Sequence, residues 1–284
     1  MVVALVALII AGGLGSFGPR AAAATRSLKP GDRYVALGTS FASGPSIPDV
    51  LDTGCQRSSN NYPSLIARKL KLALTDVTCG AAATEHIIST PQKDRPPQID
   101  AVTPDTKLVT ITVGGNDVNY TSSNLLCGGE SRPDQSCVGT AINPDDIDAN
   151  LAALPSKLSA TFAAIKQHAP KATIVALPYP RVFPSSAAPC PPSVTIQPDD
   201  LKYLVQFSDR MHTAIKDAAK AAKIVFVDSY TPTGHDACAP EAQRWIEGQQ
   251  PESPAVSFHP NGAGMKAQAK MVVAVLTAKK QRVS

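Results

Sequence analysis

The sequence lacks the features that mark several common classes of protein. It has no Cys-x-x-Cys pair and no His-x-x-x-His pair, so a zinc site is not expected. It has no block of like charges, and a formal net charge of +4 over 284 residues is too small to indicate nucleic-acid binding. The Gly-x-Ser-x-Gly elbow of α/β-hydrolases is also missing around Ser40, because Ala42 stands in place of its second glycine.

The N-terminal stretch is apolar through Ile10, becomes glycine-rich, and ends in small residues that suit a cleavage site. We expect residues 1–24 to be a secretory signal peptide, although its first part carries no Lys or Arg. An uncleaved membrane anchor is the alternative, but the apolar run is shorter than a typical transmembrane helix. Residues 25–284 are then expected to form a single α/β domain of a secreted protein.

Short apolar runs that alternate with helical patterns predict the fold. The runs cover residues 34–37, 74–78, 107–113, 172–177 and 223–227. Helices are expected from Asn60 onward and over residues 145–168, 199–222 and 262–280. Pro155 should kink the second of these helices or divide it in two. The alternation predicts a three-layer α/β/α sandwich around a parallel sheet of five strands.

Ser40 follows the first apolar run, with Gly38 marking the end of that run. Such a run suits a buried strand of a parallel sheet, and open α/β sheets bind ligands at the carboxyl ends of their strands. The alternative is that Ser40 only caps the helix that follows. Ser40 is therefore a candidate nucleophile whose role depends on other parts of the chain.

Three further blocks lie after later runs or near the C-terminus. They are residues 79–84 (CGAAAT), 114–117 (GGND) and 258–262 (FHPNG). With the serine, these blocks resemble, in order, those of the GDSL/SGNH hydrolases. The cysteine spacing and residues 234–238 (GHDAC) are similar, more narrowly, to the secreted, disulfide-bonded lipases and esterases of actinobacteria. The resemblance covers nearly all of the mature chain and implies a flavodoxin-like sandwich.

The resemblance implies a role for each block. Ser40 would attack the substrate, and His259 would take the proton of its hydroxyl group. The backbone N–H of Ser40 and the side-chain amide of Asn116 would bind the oxyanion. A third donor falls on Ala81, where these relatives usually have glycine, and Gly80 is the fallback.

Two positions depart from the family pattern. Thr39 replaces the aspartate of Gly-Asp-Ser, and Val256 replaces the aspartate usually found three residues before the histidine. We therefore expect a Ser-His dyad in which the backbone carbonyl of Val256 or Ser257 orients His259. Four nearby carboxylates are the only substitutes, and each is interpreted as a solvated loop charge: Asp236, Glu241, Glu247 and Glu252.

Six cysteines in an exported chain indicate three disulfides, although fifteen pairings are open in principle. The resemblance implies that they pair in sequence order. The pairs would be Cys55 with Cys79, Cys127 with Cys137, and Cys190 with Cys238.

The resemblance implies a carboxylic ester hydrolase that needs no metal or organic cofactor. A lipid-like or short-to-medium acyl ester is the expected substrate, and polysaccharide deacetylation and phospholipase activity are alternatives. A non-catalytic secreted binding protein on the same fold is the alternative from a different class. We expect a monomer with no nucleic-acid partner and with peripheral contact to lipid or the cell envelope. His86 and His212 are interpreted as packing or surface residues.

Overall fold

The computed structural model describes residues 27–128 and 135–278, so the expected signal peptide lies outside the described residues. Its strands are β1 (Arg33–Gly38), β2 (Val50–Asp52), β3 (Arg57–Ser58), β4 (Ala73–Asp76), β5 (Leu108–Thr112), β6 (Thr173–Ala176) and β7 (Val225–Phe226). Five of them form a parallel sheet in the order β4-β1-β5-β6-β7, while β2 and β3 form a separate antiparallel hairpin. Counted within the sheet, this is the flavodoxin-like order 2-1-3-4-5.

Helices connect these strands. They are α1 (Ser40–Ser43), α2 (Tyr62–Leu70), α3 (Thr84–Ile88), α4 (Tyr120–Cys127), α5 (Pro144–His168), α6 (Pro198–Ala221) and α7 (Gly262–Thr277). Short 3₁₀ turns occur at Gln98–Ala101, Asn116–Val118 and Glu241–Gln243. No helix in the described part of the chain is long and apolar enough to cross a membrane.

The two faces of the sheet are covered by different helices. Side chains alternate along a strand, so Val35 and Leu37 of β1 pack into one core cluster with the apolar residues of α5 and α6. Tyr34 and Ala36 point to the other face and pack with α2 and α7. Both faces are therefore buried, and the predicted three-layer sandwich with five parallel strands is confirmed.

The sequence predicts that Pro155 kinks its helix or divides it in two, and the division is wrong, because α5 runs unbroken from Pro144 to His168. Pro155 is exposed, whereas Leu151, Leu154 and Leu158 on either side of it are buried in the core. Burying this apolar face stabilises the helix by more than the loss of one backbone hydrogen bond destabilises it.

Two elements next to the sheet edge have no clear signal in the sequence. The β2–β3 hairpin is short and exposes Val50 and Leu51, so it lacks the alternation of a half-buried strand. Helix α4 follows Asn119, which adopts a positive φ of 59°.

The last helix ends at Thr277, and residues 279–280 of the predicted helix lie outside the described residues.

The structure contains the three disulfides that the resemblance implies, and none of the six cysteines is free. They join Cys55 to Cys79, Cys127 to Cys137 and Cys190 to Cys238. The first ties the hairpin region to the turn after β4, and the third joins the loop before α6 to the loop before α7.

Replacing Pro155 by Ala should raise the free energy of unfolding by about 1 to 3 kcal/mol. Alanine supplies the N–H that can donate to the carbonyl of Leu151 and removes the proline ring from the helix interior. Urea unfolding with the disulfides intact measures the change. Ser156→Ala, at the adjacent exposed position, is the control and should have a much smaller effect. Equal effects of the two substitutions would show that the proline carries no cost in this helix.

Candidate active site

Three turns meet at the carboxyl edge of the sheet, because β1 lies between β4 and β5. The turn after β1 carries Ser40, the turn after β4 carries Gly80 and Ala81, and the turn after β5 carries Asn116. A loop before α7 brings His259 to the same place. Sequence reasoning therefore identified residues that the fold brings together.

Ser40 and His259 form the centre of this site. The Nε2 atom of His259 lies 3.0 Å from the Oγ atom of Ser40, and the two residues are only 4% and 5% exposed. Gly38 allows the turn, because its φ is +140° and a Cβ there would lie 2.6 Å from the carbonyl oxygen of Thr112. The serine is thus held at the first position of α1 against a buried imidazole.

A backbone carbonyl orients the imidazole. The Nδ1 atom of His259 lies 2.9 Å from the carbonyl oxygen of Ser257. A carbonyl only accepts, so Nδ1 carries the proton and Nε2 is free to accept from the Ser40 hydroxyl. Within residues 27–128 and 135–278, no carboxylate forms a hydrogen bond or an ion pair with this ring.

Burial lowers the pKa of His259 to about 4, and its hydrogen bond to the Ser257 carbonyl offsets this effect only in part. The ring also packs against Phe41, with the ring centroids 4.9 Å apart. The imidazole is therefore neutral, and able to take up a proton, over a wider acidic range than an exposed histidine.

Two backbone donors at the site are unused. The N–H groups of Ser40 and Ala81 have no acceptor within the described part of the chain, whereas the N–H of Gly80 donates to the carbonyl of Cys55 at 2.9 Å. Ala81 has a φ of +66°, in the left-handed region that glycine usually occupies. The structure therefore leaves the N–H of Ala81 available and that of Gly80 occupied.

The side-chain amide of Asn116 lies beside the serine turn. Its Nδ2 atom donates to Thr39 Oγ1 at 2.7 Å and to the carbonyl of Ala82 at 2.8 Å. Thr39, which is fully buried, replaces the aspartate of the family pattern, and its hydroxyl accepts this hydrogen bond. The amide thus connects the turns that follow all three strands.

The asparagine turn is itself fixed from behind. The N–H of Gly115 donates to the Tyr179 hydroxyl at 2.8 Å, and a Cβ on Gly115 would lie 2.6 Å from the tyrosine ring. The carboxylate of Asp117 accepts hydrogen bonds from the Thr84 N–H at 3.0 Å and from its hydroxyl at 2.5 Å. The first contact joins the turn after β5 to the segment after β6, and the other two join it to the start of α3.

Two of the four carboxylates interpreted as solvated are buried, so that interpretation is wrong for Glu247 and Asp236, which are 1% and 8% exposed. Their charges are satisfied locally: Glu247 lies near Arg244, and Asp236 accepts from the Cys238 N–H at 3.0 Å. The other two, Glu241 and Glu252, are exposed as expected. These partners are neighbours in the sequence, but the sequence does not show that the two carboxylates are buried.

The two histidines interpreted as packing or surface residues make local contacts. His86 accepts a hydrogen bond from the Ala83 N–H at 3.0 Å. His212 stacks on Tyr230 and lies 3.3 Å from the carboxylate of Asp228. Across the described ranges, no group of three or more His, Cys, Asp or Glu residues is placed to hold a metal ion.

Comparisons with known proteins agree with this arrangement. Residues 36–267 match the model of the GDSL-like lipase/acylhydrolase family. Lipase 2 of Streptomyces coelicolor is 35% identical over 276 residues, which cover 93% of this chain and 92% of that protein. An extracellular lipase from Streptomyces rimosus and a phospholipase A1 from Streptomyces albidoflavus share the fold. The lipase has a TM-score of 0.67 at 24% identity, over 86% of this chain and 98% of its own. The phospholipase has a TM-score of 0.68 at 22% identity, over 86% of this chain and 99% of its own.

The low pKa of His259 predicts a pH-dependent stability. Between pH 6.5 and about pH 4 the unfolded chain binds a proton at this residue and the folded chain does not. The free energy of unfolding therefore has its full value from this group above pH 6.5. It decreases as the pH falls below 6.5, by up to about 3 kcal/mol. Urea unfolding of the wild type and of His259→Gln at pH 7 and pH 4.5 measures the difference. A difference between the two proteins that is the same at both pH values would contradict the lowered pKa.

Proposed function

Because the chain belongs to the GDSL-like lipase/acylhydrolase family, we propose that it hydrolyses carboxylic esters through an acyl-enzyme formed on Ser40. The chain is a lipase or esterase of that family, and the proposal concerns how its own residues act. The observation that carries the proposal is the 3.0 Å contact between Ser40 Oγ and His259 Nε2, next to two unused backbone donors.

In the first step, Ser40 attacks the ester carbonyl. The neutral Nε2 of His259 takes the hydroxyl proton while Oγ forms a bond to the carbonyl carbon. The carbonyl π electrons move to oxygen, and a tetrahedral intermediate with a negatively charged oxygen results. The tautomer that this step requires is the one that the Ser257 carbonyl selects.

The oxyanion is bound by neutral donors. We assign this role to the N–H of Ser40, the N–H of Ala81 and the amide of Asn116. Ala81 is preferred to Gly80 because only its N–H is unused. Both Nδ2 hydrogens of Asn116 already have acceptors, so one must be shared with the oxyanion as charge develops. Such donors typically contribute a few kcal/mol each in the transition state.

Collapse of the intermediate releases the alcohol. The imidazolium of His259 donates its Nε2 proton to the leaving oxygen, and the carbon–oxygen bond of the ester breaks. Water then attacks the acyl-enzyme, with His259 again taking the proton, and the acid leaves as Ser40 recovers its hydrogen. Every proton passes through the same nitrogen, and no metal or organic cofactor takes part.

We propose that the substrate is a lipid-like or short-to-medium acyl ester and that the protein acts outside the cell. Three disulfides support an oxidising compartment, and the first 24 residues have the composition of a signal peptide. The extracellular lipase of Streptomyces rimosus, which shares the fold, is consistent with this proposal.

A panel of p-nitrophenyl esters of increasing acyl length tests the activity, with acetylated xylan and phosphatidylcholine run beside it. The wild type should hydrolyse the esters, and Ser40→Ala should be inactive but folded, since its hydroxyl forms the covalent bond. A fluorophosphonate should label Ser40 in the wild type. Labelling at another residue, or ester turnover by Ser40→Ala, would overturn the assignment.

Replacing Asn116 by Ala should lower kcat by about a hundredfold or more, with a smaller change in KM. The reason is that its amide contacts charge that exists only in the transition state. Steady-state kinetics on the best ester of the panel measures both constants. Asn150→Ala, on α5, is the matched control and should change neither. A change confined to KM would make Asn116 a substrate-binding residue instead.

A further inference from the structure

Residues 256–261, which we call the histidine loop because they carry His259, are paired along their backbone with the segment around Glu247. The N–H of Glu247 donates to the carbonyl of His259 at 3.0 Å, and the N–H of Phe258 donates to the carbonyl of Glu247 at 3.2 Å. Two residues further on, the N–H of Asn261 donates to the carbonyl of Trp245 at 2.9 Å. The backbone of this segment therefore fixes the chain on both sides of the histidine.

The orienting carbonyl belongs to a turn with an uncommon conformation. The N–H of His259 donates to the carbonyl of Val256 at 3.1 Å, and Phe258 within this turn has a φ of +57°. A bulky residue adopts such a φ only when its surroundings hold it there. If the turn relaxed, the Ser257 carbonyl would no longer face Nδ1 of the imidazole.

The side chain of Glu247 ties this segment together from within the protein. Its carboxylate accepts hydrogen bonds from the Ser253 hydroxyl at 2.7 Å, the Asn261 amide at 2.8 Å and the Glu252 N–H at 2.9 Å. Asn261 in turn accepts from the Gly264 N–H, which caps α7. One buried carboxylate thus links its own segment, the histidine loop and the last helix.

The charge of Glu247 is retained in this buried place. Burial raises the pKa of this carboxyl group, but the hydrogen bonds from Asn261, Ser253 and Glu252, together with Arg244, outweigh burial and lower it. The Arg244 guanidinium lies 3.7 Å from the carboxylate, and both side chains are 5% exposed or less. Removal of one partner of such a pair leaves an uncompensated buried charge.

On the basis of the proposed function, we infer that Glu247 is a positioning residue for His259. Its carboxylate forms no hydrogen bond with the imidazole. It holds the turn whose Ser257 carbonyl faces Nδ1, and so does indirectly what a carboxylate at the position of Val256 would do directly.

Glu247→Gln tests this inference while keeping the size of the side chain. The glutamine amide has N–H donors where the carboxylate now accepts from the Glu252 N–H and faces Arg244. Two donors would then face each other, which should loosen the turn. Misplacing the imidazole should lower kcat by about tenfold to a hundredfold with little change in KM. Water reaching the ring should also move the acid limb of kcat/KM up from about pH 4 toward pH 6.5, because burial is the main cause of its low pKa.

Glu252→Gln is the matched control, because its exposed carboxylate lies 3.4 Å from the same Arg244 but makes no contact with the histidine loop. It should keep the kcat and the acid limb of the wild type. Near-UV circular dichroism and urea unfolding show that each variant is folded under assay conditions. A Glu247→Gln protein that is less stable but has an unchanged acid limb and kcat would overturn the inference.

Ser253→Ala provides a second variant if Glu247→Gln does not fold. It removes one hydrogen bond to the carboxylate and should shift the acid limb and kcat in the same directions by less. Wild-type values would then overturn the positioning role. Failure of the proposed function has a different signature, because the wild type itself would not hydrolyse esters or would retain turnover without the Ser40 hydroxyl.

Discussion

The proposed chemistry depends on one hydrogen bond between residues 219 positions apart, from Ser40 to His259. It can form only if the turn after β1 and the loop before α7 reach the same sheet edge. The strand order places β1 in the interior of the sheet, and α7 packs on one face beside α2. The core therefore brings the proposed nucleophile, from near the start of the chain, to the proposed base, from near its end.

Among the residues that the structure describes, the imidazole of this pair has no hydrogen bond to a carboxylate. The Thr39 hydroxyl stands where the family pattern has one aspartate. Val256 replaces the other, and the carbonyl of the next residue, Ser257, contacts the imidazole instead. A neutral orienter selects the tautomer of His259 but provides no charge to stabilise its imidazolium. A carboxylate in contact with the proposed oxyanion would repel its charge, and neither Thr39 nor Val256 supplies one.

Where the direct carboxylate is missing, the surrounding loops supply the rigidity. The segment around Glu247 is itself held, because the N–H of Gln249 donates to the carbonyl of Ser193 at 2.8 Å. Ser193 lies in the loop that the Cys190–Cys238 disulfide fastens, and the glycine at position 248 leaves room for this approach. Disulfide, paired loops and buried ion pair thus act on the same turn.

Local sequence determined the five strands of the sheet, the long helices and the residues that follow the strands, but not the β2–β3 hairpin or α4. The apolar runs before Ser40 and before Asn116 predict a strand and the turn that follows it. They do so because burial and backbone propensity depend on a few neighbouring residues. Which N–H is unused, Ala81 or Gly80, depends on the carbonyl of Cys55 across a disulfide. The continuity of α5 through its proline depended in the same way on packing against the sheet.

The burial of Glu247 was also decided by tertiary structure alone. Its partner Asn261 lies 14 residues further along the chain, in a loop that folds back against Glu247. Arg244 is a sequence neighbour, but nothing in the sequence shows that this ion pair is buried. Hydrogen bonds and desolvation act between groups brought within a few ångströms, whatever their distance along the chain. The sequence by itself therefore determined which residues could do the chemistry, and only the tertiary structure decided how they are held.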